Sequence, residues 1–216
     1  MKNTKVLELL NDGKIEELKK LLQNEIYTES LKGNGNAKKR YSAMRKYFTY
    51  TKSENPALQK PCMIDYNGEN YTSFVNSYSL AITKEKAEGI IHHFGDYFDI
   101  GKMINFNNTM RKIDFGKVIA EAKSQGYKLK KSEVDINCGF KYVMYYDGAY
   151  YKIGLLDATY GIIDNGGEVE VYHFKGKRTE PICIKNDIGI AVVLPINFHE
   201  DDFKNKGKII IRVEDQ

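Results

Sequence analysis

Asn67-Gly68 and Asp147-Gly148 each stand between two short runs of β-branched and aromatic residues, the pattern of a two-residue hairpin turn whose central residues both adopt positive φ. Such turns commit their flanks to antiparallel strands. The first predicts strands over Cys62 to Tyr66 and Tyr71 to Val75, and the second over Phe140 to Tyr146 and Tyr150 to Ile153. Asn76-Ser77 closes a further hairpin onto Tyr78 to Thr83. Four more β-like runs, Glu168 to Phe174, Pro181 to Lys185, Gly189 to Pro195 and Lys208 to Val213, are parted by charged or glycine-containing turns.

Between these strands the apolar spacing changes to three and four residues. Thr4 to about Leu31 reads as a helical pair broken at Asp12-Gly13, and Lys32 to Asn36 reads as a linker. Lys38 to Phe48 places Tyr41, Met44 and Phe48 on one helical face. Ile113 to Gln125 and Leu155 to Ile163 are also helical, stopped by Gly126 and by Asn165-Gly166-Gly167. Lys84 to Asn108 follows neither period. The order is therefore helix, three strands, an intervening segment, two strands, helix, and three or four strands. A helix-plus-strands unit recurs in element order without recurring in residue identity. We expect an α+β fold, with a helical leader over residues 1–35 and one domain over 36–216 interrupted by an insertion at about 84–137.

Several function classes lack support. The chain has no Gly-x-x-x-x-Gly-Lys-Ser/Thr, Gly-x-Gly-x-x-Gly or Gly-x-Ser-x-Gly, so nucleotide hydrolysis, dinucleotide binding and serine-esterase chemistry have no motif. Cys62, Cys138 and Cys183 are odd in number and far apart, which suits buried thiols better than zinc or redox pairs. His92-His93 has no acidic or thiol partner at a ligand spacing. His173 falls in an alternating strand, and His199 sits beside Glu200-Asp201-Asp202 in a charged turn. No run approaches the ~18 to 20 apolar residues of a membrane span, and no signal-like segment opens the chain, so the expected setting is cytoplasmic. We expect a protein that binds rather than catalyses, without cofactor or metal.

The net charge of +4 is too mild to define a polyanion partner by itself. Its distribution says more. Lys38, Lys39, Arg45 and Lys46 form a basic face opposite Tyr41, Met44 and Phe48, and cations on one rigid face suit phosphates. The same face equally suits an ordinary solvated surface. Further cations stand at Lys128, Lys130 and Lys131, at Lys175, Lys177 and Arg178, and at Lys204, Lys206 and Lys208.

Tyr150-Tyr151-Lys152-Ile153-Gly154-Leu155-Leu156-Asp157-Ala158 resembles the strand that leads into a Leu-Asp-containing helix in bacterial beta-type DNA polymerase sliding clamps. Glu168 to Tyr172 follows at the spacing of that family. Glu180 to Lys185 is similar to its Ser-Pro-hydrophobic strand, and Ala191-Val192-Val193-Leu194-Pro195-Ile196 to its closing Val-Met-Pro-Met. Upstream, the basic helix and the strands after it resemble the family's first half-domain, with Val75 to Leu80 in place of Thr-Asp-Gly-His-Arg-Leu.

The resemblance implies a clamp-like domain with two helices packed on antiparallel sheets and a non-enzymatic scaffold or processivity-type role in DNA replication, in a phage or mobile-element setting. It assigns Lys38, Lys39, Arg45 and Lys46 to duplex DNA. It assigns Tyr78, Leu80, Leu194, Pro195 and Ile196 to a hydrophobic groove for replication or repair proteins, although those five also suit plain core strand. Clamps encircle DNA with six such domains and this chain has room for one, so ring closure implies a homo-oligomer or helper chains. The other reading is a protein interaction module that mimics a clamp surface without holding DNA.

Overall fold

The computed structural model describes residues 2–19, 21–22, 35–47, 61–84, 93–94, 110–127, 142–174, 179–197, 201 and 209–213. Most of the strands lie where the turn dipeptides place them: β1 (Cys62–Tyr66), β2 (Glu69–Asn76), β3 (Ser79–Thr83), β6 (Tyr142–Tyr146), β7 (Ala149–Lys152), β8 (Glu170–Phe174), β9 (Ile182–Lys185), β10 (Gly189–Val193) and β11 (Ile209–Val213). Asn67 and Gly68 have φ of 55° and 79°, and Asp147 and Gly148 have 45° and 83°. Both hairpin turns thus hold the positive-φ pair that matches strand twist. The intervening segment, unreadable by period, contributes β4 (His93–Phe94) and β5 (Met110–Ile113).

Among the described residues, the strands are accompanied by the helices α1 (Lys2–Asn11), α2 (Gly35–Tyr47), α3 (Phe115–Ser124) and α4 (Ile153–Ile163), besides a helical turn over residues 15–19. The leader breaks at Asp12-Gly13 as expected, with Gly13 at φ 68°, and residues 15–19 are helical again. Two boundaries need correction. α2 starts at Gly35, inside the stretch read as linker, and Ile113 ends a strand instead of opening a helix. Asp114 is the reason for the second: its carboxylate accepts the Lys117 N–H at 3.1 Å and caps α3 from an extended conformation.

The repeated element order becomes a repeated topology. One sheet runs β4-β1-β2-β3-β10-β9-β8-β5, the other β11-β6-β7. Within the first, β1-β2-β3 and β8-β9-β10 are antiparallel meanders, each led in sequence by a helix, α2 or α4. β3 and β10 join them antiparallel, with Ala81 opposite Ala191 at the centre. The order of the six strands is thereby symmetric about the β3–β10 pair. α2 and α4 lie side by side, and α4 also reaches β3, β9 and β10.

Alternation along the strands sorts the side chains. Phe74, Ala81, Ile182, Ile184, Ala191 and Val193 join the main core with both helices, while Val75, Leu80, Ile82, Cys183 and Val192 form a second cluster. Small residues let the helices approach: a Cβ added at Gly161 of α4 would stand 2.8 Å from the Ala43 Cβ of α2. α4 is the central element. Ile153, Leu155, Leu156, Ile162 and Ile163 are all essentially inaccessible, and each such burial contributes about 1.5–3 kcal/mol.

Candidate functional site

The polar face of α2 is divided by helical geometry. Lys38 and Lys39 are exposed, but Arg40, about 100° further round the same helix, turns inward and is 4% exposed. Its Nε donates to the Ile162 carbonyl of α4 at 3.0 Å and its Nη2 donates to Thr83 Oγ1 at 3.3 Å. One cation of the basic run therefore caps the carboxyl end of the neighbouring helix, where a positive charge also suits the helix dipole. Arg45 and Lys46 belong to α2, with side chains outside the described residues. The three outlying lysine and arginine groups, at 128–131, 175–178 and 204–208, lie outside them too, as do His92 and His199.

At the carboxyl end of α2, Tyr47 enters the core completely. Its hydroxyl lies 2.8 Å from the Ser79 carbonyl and 3.1 Å from that of Phe74, and it accepts from Ser79 Oγ at 2.8 Å. Burial pushes its ionisation far above the ordinary tyrosine range. α4 offers no matching basic face. It has no Lys or Arg between Ile153 and Ile163, and its half-buried Asp157 accepts from the Tyr127 hydroxyl at 3.3 Å. The helix pair therefore presents cations from α2 alone.

The five groove positions gather around the open end of the β3–β10 pair, though not on one surface. Tyr78 is 37% exposed, Leu194 and Pro195 are half-buried, Ile196 is 8% exposed and Leu80 is fully buried in the second cluster. The Leu194 N–H donates to the Tyr78 carbonyl at 2.7 Å, and the Ile196 N–H donates to the Tyr150 carbonyl at 2.8 Å. Lys152 joins them unannounced by any motif: its ammonium sits 3.2 Å from the Tyr78 ring centroid while the residue is 6% exposed. An aromatic face with a desolvated cation beneath it is a tight cation–π contact. It pins Tyr78 over the start of α4.

A second polar group was legible only as an unexplained histidine. His173 points inward from β8, in phase with buried Val171, and its Nε2 is 2.7 Å from the Tyr151 hydroxyl of β7. That hydroxyl also reaches the Glu180 carbonyl at 3.0 Å. His173 Nδ1 lies 3.4 Å from Asp147 Oδ2, an ion-pair distance when the ring is charged. Burial first, and then the Asp147 charge, raise the Tyr151 ionisation well beyond its usual range. The group fastens the three-stranded sheet to the larger one. A polar residue on the inward phase of a strand was the available signal.

Among the described residues no three His, Cys, Asp or Glu side chains are grouped to hold a metal ion, and no helix is long and apolar enough to cross a membrane. No family model and no curated protein matches the chain. Among solved structures, the fold is similar to a crystal structure provisionally described as a DNA polymerase III beta subunit from Eubacterium rectale, at 13% sequence identity and a TM-score of 0.43. The match covers 74% of this chain and 63% of that one, so it extends over less than two thirds of the other chain's length.

Proposed function

We propose that this chain is a non-enzymatic, clamp-like scaffold that associates with duplex DNA through α2 and with replication or repair proteins through the margin around Tyr78 and Leu194. The observation that carries this reading is the pair of helix-plus-three-strand repeats joined through β3 and β10 with their leading helices side by side. Lys38 and Lys39 supply exposed cations on a rigid helix, with Arg45 and Lys46 following on the same element. Contacts of this kind address phosphates and carry no base readout.

Fluorescence anisotropy on a labelled duplex tests the DNA part. Binding should fall linearly in log–log against salt, with a slope of about −0.9 for each phosphate neutralised, and Lys38→Glu with Lys39→Glu should reduce that slope by about 2. Absence of duplex binding at low salt would sink it. One observation favours a second reading, an interaction module that uses the scaffold without DNA. α4 is buried and free of cations, which leaves one basic helix where a two-helix phosphate-facing surface would have two. Retention of partner binding in the double glutamate variant, together with no duplex binding by the parent, would establish that reading.

A further inference from the structure

The segment between the repeats has no counterpart in the repeat order, yet its described elements share a location. β4 pairs parallel with the outer side of β1, and β5 pairs antiparallel with the outer side of β8. Both margins of the six-strand array β1-β2-β3-β10-β9-β8 are thus occupied from this one segment. The strands it adds are poor templates for further growth: β4 has two residues, while β5 has four, carries exposed Arg111 and Lys112, and ends at the Asp114 cap.

Its third contribution is a single side chain. Gln125, immediately after α3, accepts the Arg212 N–H through Oε1 at 3.1 Å and donates from Nε2 to the Arg212 carbonyl at 2.7 Å. Among the described residues β11 is a margin of the three-stranded sheet, and it pairs with β6 on its other side. A primary amide offers a donor and an acceptor side by side, as a peptide group does. Gln125 therefore stands where the next strand's backbone would pair. The opposite margin, β7, is met by the Tyr150–Ile196 bridge.

We infer that the described elements of the segment between the repeats act as edge caps, that Gln125 guards β11, and that the occupant it excludes is a second copy of this chain pairing along Ile209–Val213. The strand itself argues for that occupant. Ile209-Ile210-Ile211-Arg212-Val213 holds four β-branched residues in five, and Ile209 is 38% exposed. Antiparallel self-pairing about Ile211 sets each Arg212 opposite an Ile210, so no like charges meet. The guanidinium already lies outward over the Tyr145 ring at 5.0 Å. None of this rests on the clamp reading, and it holds whether or not the chain takes DNA.

Sedimentation velocity on the full chain, with hydrogen exchange at the 209–213 amides, tests it. Gln125→Ala should keep the wild-type circular dichroism and self-associate at least about tenfold more tightly than the parent, which is about 1.4 kcal/mol. At dilution its Arg212 amide should exchange faster than in wild type, and the protection should return as the copies pair. Adding Ile210→Lys should restore the monomer by setting an ammonium against the second copy's guanidinium. Should Gln125→Ala not fold, Gln125→Glu keeps the acceptor, loses the donor and should associate to an intermediate degree. A folded variant of either kind that stays monomeric, or association indifferent to Ile210→Lys, overturns the inference. So does a wild-type chain whose 209–213 amides are already protected by self-association.

Discussion

The α2 repeat and the α4 repeat have the same order of elements and meet across one pair of strands, but their helices sit in different surroundings. α2 keeps a wet face with Lys38 and Lys39, whereas α4 is enclosed between the larger sheet, α2, and the β6–β7 hairpin. Phe115 of α3 adds a further contact by stacking on Tyr160, with centroids 4.4 Å apart. Duplicated topology therefore does not duplicate roles. A helix flanked on several sides must be apolar nearly all round, and one flanked on a single side is free to carry charge.

Substitutions in the helices break this contrast most sharply. Leu156→Ala in α4 should lower stability by about 3 kcal/mol, because a fully buried leucine leaves a cavity between two sheets. Lys38→Ala in α2 should leave the urea midpoint within experimental scatter. Equal losses from the two would contradict the asymmetry. Arg40→Met comes next, at about 2 kcal/mol by the same urea titration, since it strips the Ile162 carbonyl and Thr83 hydroxyl of a charged donor. Gly161→Ala should cost about 1 kcal/mol or more by forcing the helices apart at Ala43, and a thermal melt unchanged by it would mean that the helices do not meet there as described.

The smallest effects lie at the surface and in the thiol. Glu170 is held below the ordinary carboxylate range by hydrogen bonds from Lys185 and then Lys112. A depressed folded value means that its contribution is present in full above the ordinary glutamate value of 4.5 and fades as pH falls through the lower folded value. Glu170→Gln should therefore lower stability slightly at neutral pH and flatten the acid limb of a stability–pH profile by the same small amount, so that variant and parent converge at low pH. Burial pushes the Cys183 thiol up to about 12, so mass-mapped alkylation at neutral pH should leave Cys183 unmodified until the second cluster opens.

Most strands were readable because their signals are local. Asn67-Gly68 and Asp147-Gly148 need positive φ whatever surrounds them, and the β-branched runs beside them have period two. β5 was not readable, because Met110-Arg111-Lys112-Ile113 has neither length nor alternation. It is a strand by virtue of the β8 backbone it pairs with, from Met110 opposite Phe174 to Ile113 opposite Val171. The sites divide in the same way. Lys38 and Lys39 were visible as an exposed face, whereas the inward turn of Arg40 depends on Ile162, 122 residues away. Tyr78 and Leu194 were placed together only through a family resemblance, and the Lys152 ammonium that supports Tyr78 had no pattern to announce it.

By itself, the sequence determined most of the element types, the hairpin turns and the recurrence of a helix with its strands, since each follows from backbone preference and side-chain period over a few neighbouring residues. Only the tertiary structure decided which helix stays wet, which cation caps a helix, and where each sheet stops. Those outcomes depend on burial and on backbone groups supplied from distant parts of the chain, as when the Gln125 amide meets Arg212 across 87 residues. Local preferences carry no record of such partners.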